Sequence, residues 1–520
     1  MYSFPPLHIR KSGAKRQIRK LIRAARELRV AGKDNQVEIV LSELKYKTEH
    51  PSIRFQGISL DSSFVSRYVA YKLFSDFLRA SIQIEAQSRL DHQTFPLPKY
   101  LLTKLTELGF KPKTLWSNIS WRLIALLNCM YTILYAFRYF ARFHDRSTIG
   151  RPDLYLHNLQ QNNFCDCCID ESELQTVTNF FLERLDINYI CIQSNCIGVT
   201  TTSKKLIFAH TPIDHLDASG RLKLLAFAVS LFFAGIWDTL FGKGVFALCS
   251  QELLLKRGAM LLKDNCIAKQ YGFHNSFFVH RPAWVDVVTK RGATAFLYFY
   301  SMNCLPFRID GRNHSWHYNY TNLPWEKYLV WNKRFGEEIL RQSQPGSSFE
   351  AIGPIPFSDK PIKIEASKDS IAVFDITPAR PSIFCKHGMQ NNYYTSETTS
   401  KFILQLVEVA EALGQHLVIK HKRSKSIGVD KKYKKALQLI EKNSLVTIVD
   451  PDISAFRLMD HCKAAVSQAF TSTAHIAKHK SKPSIYFDPT GRLSKNQPAA
   501  LGVDIIQTNE ELKIWMKSLG

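Results

Sequence analysis

At 520 residues, with 45% hydrophobic and 22% charged residues, the chain has apolar surface enough for roughly two to four domains, which excludes a disordered or fibrous class. A net charge of +24 implies an anionic partner and does not by itself choose among a membrane surface, nucleic acid and a phosphorylated substrate. The 11 cysteines are odd in number and thinly spread, and no secretory leader is recognisable, so a reduced cytosolic setting is expected rather than a disulfide scaffold.

Residues 10–30 hold nine Lys or Arg and no acid before Glu27, with Ile18, Leu21, Ile22, Ala25 and Leu28 at helical spacing. This is a basic amphipathic helix, suited either to an anionic lipid surface or to packing on its own domain. Residues 36–115 mix helical patterns with short strands such as 37–41 and carry no functional signal. Residues 123–137 have no charge and are flanked by Trp116, Trp121, Arg122, Arg138 and Arg142. The flanks suit an interfacial helix, but the uncharged run is shorter than the roughly 20 residues of a span, and a buried core helix is the preferred reading. A second apolar run, 224–237, also reads as core. The expectation is a peripheral protein without a certain membrane span. Cys165, Cys167 and Cys168 lack paired C-x-x-C spacing and do not read as a metal site.

From about Asp153 the pattern turns α/β. Strands are expected at 187–193, 206–210 and 294–301, with helices at 173–185, 218–240 and about 247–263 between them, which makes a parallel sheet. Polar strand ends follow: Asp214 and His215 after one strand, and Ser301 to Asn303 after another. Residues 272–284 add His274, His280 and Arg281. Strands at 329–331 and 350–353 flank a helix at 333–342. The proline-rich GPIPFSDKPIK, 353–363, reads as a linker. A second α/β unit then opens with the strand at 371–376. A long loop leads to the helix 397–413. Strands at 416–420, 446–450, 464–468, 484–487 and 503–507 alternate with helices at about 431–442, 454–461, 473–480 and 509–519. No G-x-G-x-x-G is present, so a dinucleotide redox cofactor is unsupported and none is expected.

The stretch AAVSQAFTSTAHIAKHKSKPSIYFDPTG, 464–491, is the most informative. It reads as strand, hydroxyl-rich turn, helix and strand. In a parallel sheet such a turn lies at the carboxyl end of its strand, where the next helix directs its free N–H groups. Thr471, Ser472 and Thr473 add hydroxyls there. The turn holds a phosphate, or it is an N-cap with spare hydroxyls.

Two Rossmann-like domains joined by a short linker resemble the GT-B architecture of sugar-nucleotide-dependent glycosyltransferases. More closely, VWNKRFGEEIL, FEAIGPIPFSD, IAVFDITPARPS and 464–491 look like bacterial capsule and lipopolysaccharide glycosyltransferase-like proteins over roughly residues 270–500. The resemblance implies two Rossmann-like domains facing a cleft, with residues 151–355 binding acceptor and 356–520 binding donor. Residues 1–150 stand outside it as a mostly helical extension. In relatives that use CMP-activated acidic sugars, a His after a core strand and a Ser/Thr pair after a later one meet the nucleotide phosphate. Here His421 and the pair Ser472 and Thr473 occupy those positions. Lys422 replaces the proline that usually follows the histidine, and a UDP- or GDP-sugar is the alternative donor.

Such a site must stabilise charge that develops on the leaving phosphate. His421, Lys422, Arg423, Thr471, Ser472 and Thr473 are the candidate donor-binding residues, with Asp375 and Arg380 flanking the interdomain loop. No D-x-D motif is convincing, since Asp450-Pro451-Asp452 reads as a turn, and a metal-independent transfer is expected. The base that deprotonates the acceptor comes from across the cleft, with Asp214, His215 and His280 as candidates. Tyr393 and Tyr394 stack on a base or sugar, or pack beneath the loop. The expected partners are a nucleotide-sugar donor, a glycan or lipid-linked glycan acceptor and the anionic inner face of the cytoplasmic membrane, with no specific nucleic acid. An epimerase or hydrolase of related fold is one alternative, and a basic nucleic-acid-binding or scaffold protein another.

Overall fold

The computed structural model describes residues 49–73, 94–141, 151–160, 163, 175–185, 190–194, 206–209, 211–277, 280–313, 320, 323–360, 362–365, 367–378, 393–422 and 429–520. The expected helix at 10–30, the strand at 37–41, Cys165, Cys167, Cys168, Arg380 and Arg423 lie outside the described residues.

The described part of the N-terminal region opens with a hairpin, β1 (Ile53–Phe55) and β2 (Ile58–Leu60). Helices α1 (Ser62–Leu73), α2 (Lys99–Glu107) and the long α3 (Thr114–Ala141) follow. The first large sheet then collects β3 (Leu154–Leu159), β4 (Ile190–Ser194), β5 (Leu206–Ala209), β6 (Gln270–His274), β7 (Thr294–Tyr298), β10 (Lys327–Val330) and β11 (Ser348–Ala351). Its helices are α4 (Val177–Arg184), α5 (Ala218–Phe241), α6 (Val245–Leu261), α7 (Val285–Lys290) and α8 (Lys333–Leu340). A short hairpin, β8 (Arg308–Ile309) and β9 (Arg312–Asn313), projects between β7 and β10.

The second sheet comprises β12 (Ile371–Phe374), β13 (Leu417–Lys420), β14 (Val446–Val449), β15 (Ala464–Gln468), β16 (Ser484–Phe487) and β17 (Asp504–Ile506). It carries α9 (Ser396–Leu413), α10 (Lys431–Ile440), α11 (Ala455–His461), α12 (Thr473–His479) and α13 (Asn509–Lys517).

Both sheets are wholly parallel, as expected from the alternation of strand and helix. The first has the order β11-β10-β7-β6-β3-β4-β5 and the second β14-β13-β12-β15-β16-β17. Each therefore reverses direction once, between β3 and β6 in the first and between β12 and β15 in the second. Ligands of open α/β sheets bind at such reversals, beyond the carboxyl ends of the strands. Strands β12 and β15 are buried at every position, because helices cover both faces.

Two of the central strands of the first sheet, β3 and β6, are absent from the sequence-based reading. The sequence of β3, LYLHNL, carries His157 and Asn158 in its second half, and the ladder with β4 is irregular there. Asn158 takes φ 55°, a left-handed conformation that asparagine tolerates better than most residues. The sequence of β6, QYGFH, is broken by Gly272 and runs into polar residues, so no strand is legible there; burial within the sheet overrides those local signals.

The helices are set by local chemistry where they meet the sheets. Thr395 caps α9 by accepting from the Thr398 N–H, and Gly414 ends it in the left-handed conformation at φ 64°. Thr508 and Glu511 form a reciprocal capping box on α13.

The carboxyl edges of the two sheets face each other. Met302, just past β7, donates its N–H to Ser472 Oγ, just past β15, at 2.8 Å. Phe307 packs against Phe470 and Tyr394 of the second domain. Gln497 Oε1 accepts from Arg308 N at 2.8 Å, and Arg492 forms a forked ion pair with Asp310. The linker is held as well: Phe357 stacks on Tyr300 with ring centroids 3.9 Å apart, and the buried Asp359 accepts from Ser454 N and Arg457.

One expectation is corrected here. Helices α3 and α5 are not enclosed core helices, because in each only 33% of the most apolar 18-residue window is buried. Periodicity shows that they are apolar and does not show that, among the described residues, one face of each is left exposed.

Candidate functional site

The carboxyl edge of the second sheet gathers the polar groups. Strand β12 delivers Asp375, strand β13 delivers His421, and α10 delivers Tyr433 from the side. Asp375 Oδ2 accepts from His421 Nδ1 at 2.8 Å and from the Tyr433 hydroxyl, and the Tyr433 oxygen itself lies 2.8 Å from Nδ1. Asp375 Oδ1 faces the Lys422 N–H at 3.3 Å. All three side chains are buried. Burial and the Asp375 charge push the Tyr433 phenol far up, so it stays protonated as a donor. The carboxylate thereby fixes the ring, and His421 Nε2 is left buried with no hydrogen-bond partner among the described residues. An imidazole held by one nitrogen offers the other to a ligand.

The reversal point lies beside this cluster. Gln468, fully buried at the end of β15, ties the two central strands together. Its Oε1 accepts from Ile376 N at 2.9 Å and its Nε2 lies 3.1 Å from Thr399 Oγ1 in the first turn of α9. The amino end of α9 is thus brought against the carboxyl ends of β12 and β15. With 18 residues, α9 directs a full macrodipole there, whereas α12 has seven residues and a weaker one. Burial lowers the pKa of the half-buried Lys420 at the end of β13, with Asp375 and other acids partly offsetting it, and its Nζ donates to Pro451 O at 2.8 Å.

The hydroxyl turn is brought to the same edge, but its groups are largely engaged. Thr471 Oγ1 donates to Gln468 O at 2.9 Å and lies 3.0 Å from Thr473 Oγ1, which in turn is 2.9 Å from Ser467 Oγ. Ser472 occupies the N-cap of α12 without a capping bond, because its oxygen accepts from Met302 across the cleft. The N-cap reading is therefore replaced by an interdomain contact. Lys422 is exposed on the rim. Tyr393 and Tyr394 are packing groups: Tyr393 donates to Asp488 and Tyr394 accepts from Phe470 N. Tyr433 was missed by the sequence reading, and its place in a KKYKKA run gives no signal of a buried role.

The three residues expected across the cleft are not gathered together. Asp214 accepts from the Thr211 hydroxyl at 2.5 Å, beyond the edge strand β5. His215 is buried beside Cys191, with Nε2 4.0 Å from the sulfur. His280 Nε2 lies 2.9 Å from Glu252 Oε1 on α6, and its ring stacks on Tyr71 of α1. Burial opposes ionisation of Glu252, but His280 and the Ala283 N–H outweigh it and hold the carboxyl below its ordinary range. At the reversal between β3 and β6 stand His157 and His274 instead. Burial holds His157 well below its ordinary pKa and His274 down at about 4, so both rings are neutral.

Comparison with known proteins gives one decisive match. The family model described as polysaccharide biosynthesis PFTS motif protein covers residues 235–516. The chain belongs to this family. No curated protein matches the chain. Among solved structures it is similar to a UDP-GlcNAc 2-epimerase from Methanocaldococcus jannaschii, at 10% identity and TM-score 0.36, over 70% of this chain and 91% of that one. It is similar to the glycosyltransferase SnogD from Streptomyces nogalater, at 11% identity and TM-score 0.34, over 69% and 87%. It is also similar to a variant of the wall teichoic acid polymerase TagF, at 9% identity and TM-score 0.35, over 71% and 78%.

Proposed function

We propose that this polysaccharide biosynthesis protein is a glycosyltransferase whose second domain holds a nucleotide-sugar donor and whose first domain presents a surface-polysaccharide or lipid-linked glycan acceptor. The observation that carries the reading is the Asp375–His421 pair, with Nε2 buried and without a hydrogen-bond partner among the described residues, at the carboxyl edge of a Rossmann-like sheet. When the ring is protonated on both nitrogens, Nδ1–H stays on Asp375 and Nε2–H becomes a charged donor to a phosphate oxygen. In the transfer, the acceptor oxygen bonds to the anomeric carbon. The bond to the donor phosphate breaks and leaves its electron pair on the phosphate oxygen. His421 and the α9 amino end stabilise that charge, with Lys422, Arg423 and Arg380 as further candidate contacts. The acceptor proton passes to a base of the first domain, for which Asp214 and His215 remain the proposals. The donor nucleotide is CMP by the His and Ser/Thr positions, with UDP and GDP as the alternatives raised by Lys422.

A thermal-shift panel of CMP, UDP, GDP and ADP tests this on wild type and His421→Ala. A ligand confined to the folded state adds about 2.7 kcal/mol at roughly a hundredfold excess over its Kd. A shift with one nucleotide, lost in the variant, is expected. Acceptor-dependent release of that nucleotide from its sugar conjugate identifies transfer, whereas turnover without acceptor identifies an epimerase or hydrolase. No shift with any nucleotide, together with tight salt-sensitive DNA binding, overturns the reading.

A further inference from the structure

Helices α3 and α5 lie side by side and antiparallel. Near the start of α3, Arg122 donates to Thr239 O at the end of α5 at 2.6 Å, and Trp121 Nε1 donates to Lys243 O at 2.8 Å. Near the end of α3, the Tyr139 hydroxyl donates to Ile213 O, just before α5 begins. Helix α6 backs both along their inner side.

The polarity of this layer is reversed relative to a helix on a soluble domain, which turns its apolar stripe inward and its polar face outward. Here the inner side of α3 is made mostly of small and polar residues, Ser117, Ala125, Asn128, Cys129, Thr132 and Ala136, while α5 adds Gly235 and Thr239 to the buried Leu224, Phe227 and Leu231. Asn128 Nδ2 donates to Ala247 O at 2.8 Å and Leu248 O at 3.1 Å, and Thr132 Oγ1 lies 2.9 Å from Ser250 Oγ. A Cβ on Gly235 would fall 2.3 Å from Cys129 Sγ, so the backbones approach closely. The outer side carries the large residues: Leu123, Leu134, Phe233 and Trp237 are 55%, 62%, 65% and 67% exposed. Small and polar groups between helices with bulky apolar groups outside is the arrangement of helices in lipid.

Charge completes the picture. The sequence of α3 contains no acid, and the one acid of α5, Asp238, is turned to the Ala247 N–H at 3.2 Å. Exposed cations mark both ends of the pair, with Lys113 and Lys243 at one and Arg138 and Lys223 at the other. That pattern complements an anionic leaflet.

We infer that the outer face of α3 and α5 seats this protein in the plane of an anionic bilayer, as a one-sided anchor rather than a span. Both helices are long enough to cross, but α6 covers their inner side and carries Glu252, bound to His280, and Lys256, bound to Ser59 O. A crossing would carry these charges into hydrocarbon. Lying flat immerses only the exposed face, to a depth of roughly 5–10 Å. The seat does not depend on the glycosyltransferase reading, since it rests on helices outside the donor site.

The test is flotation of the full chain with vesicles of phosphatidylglycerol and phosphatidylethanolamine, against phosphatidylcholine alone. Trp237 is read in parallel through quenching by lipids brominated at graded depths. Wild type floats with the anionic vesicles, and Leu123→Glu, Leu134→Glu and Phe233→Glu combined reduce partitioning at least about tenfold, since each buried apolar side chain contributes strongly. Ile514→Glu, at an exposed apolar site in the second domain, changes nothing. Quenching is strongest from shallow bromines and is reduced in Trp237→Phe, the remainder coming from the exposed Trp116 at the start of α3. Undiminished flotation of the triple variant overturns the seat. So does a vesicle-indifferent wild-type dimer that the triple variant dissociates, which would assign the face to a second copy. Quenching strongest from the bilayer centre overturns the in-plane arrangement in favour of a span.

Discussion

The two carboxyl edges that confront each other are built from the same topology and carry opposite chemistry. At the reversal of the first sheet stand His157 and His274, both held neutral by burial, beside the aromatic stack of Tyr300 on Phe357. At the second stand a buried carboxylate, an imidazole pinned to it and the amino end of a long helix. Neutral rings and aromatic faces suit a sugar, and an imidazole pinned by one nitrogen beside the amino end of a long helix suits a phosphate. The difference teaches that a doubly wound sheet fixes where a ligand binds, while the residues immediately past the strand ends fix which ligand it is.

Replacing His421 is the most severe way to probe this difference. His421→Ala is expected to lower nucleotide release by about 10²–10³-fold, the usual effect of removing a donor aimed at developing charge. Release is measured with the sugar conjugate of whichever nucleotide stabilises wild type. A loss below about tenfold breaks the assignment of phosphate to the second edge. Asp375→Asn keeps the volume and removes the charge that orients the ring, and a loss of about 10–100-fold is expected. Tyr433→Phe, which leaves the carboxylate its other donors, should cost the least of the three.

Elsewhere in the first domain the largest effect expected is on stability. His280 is the partner of the buried Glu252, so His280→Ala leaves a carboxylate uncompensated and should destabilise the fold by about 3–5 kcal/mol in chemical denaturation. Full stability with lost turnover would return His280 to the catalytic set.

The pH dependence of stability separates neutral from charged histidines. His50, His274 and His475 are each lowered to about 4, chiefly by burial. Their folded pKa values lie below the unfolded value of 6.5, so between those limits the unfolded chain binds more protons. The melting temperature should therefore hold steady above about pH 6.5 from these groups and fall as the pH drops toward 4. A rise on acidification would mean that these rings are charged in the fold.

What was legible in the sequence follows the same division. The strands of the second domain were readable because their apolar runs are interrupted only at their ends, and the candidate site residues directly follow them: IAVF before Asp375, LVIK before His421, and AAVSQ before the hydroxyl turn. The first domain was less so, because β3 and β6 interrupt their apolar runs with His157, Asn158 and Gly272, and these central strands went unassigned. Tyr433 was invisible, since a helix in a lysine-rich run reveals its buried face only once β12 supplies Asp375. The expectation of enclosed core helices for α3 and α5 failed because hydrophobic content does not tell which face of a helix is packed.

The smallest expected effect concerns how the two edges are held together. Arg492 and Asp310 form an exposed forked pair with a 2.6 Å contact across the cleft, and hydrogen bonding to Asp310 raises the arginine further. Exposed pairs contribute about 0.2–1 kcal/mol and weaken with salt. A double-mutant cycle of Arg492→Ala and Asp310→Ala should therefore give a coupling below about 1 kcal/mol at low ionic strength and nearly none at high salt. The neighbouring Met302 to Ser472 bond is half-buried and uncharged, so salt should leave it intact. If domain opening admits substrate, breaking the ion pair favours the open form while Ser472 still guides closure. The expected signature is a modest change in KM with kcat nearly preserved in Arg492→Ala, and a change in both in Ser472→Ala. Equal effects of the two variants would mean that the edges are held as a rigid unit, with no closing motion for the ion pair to regulate.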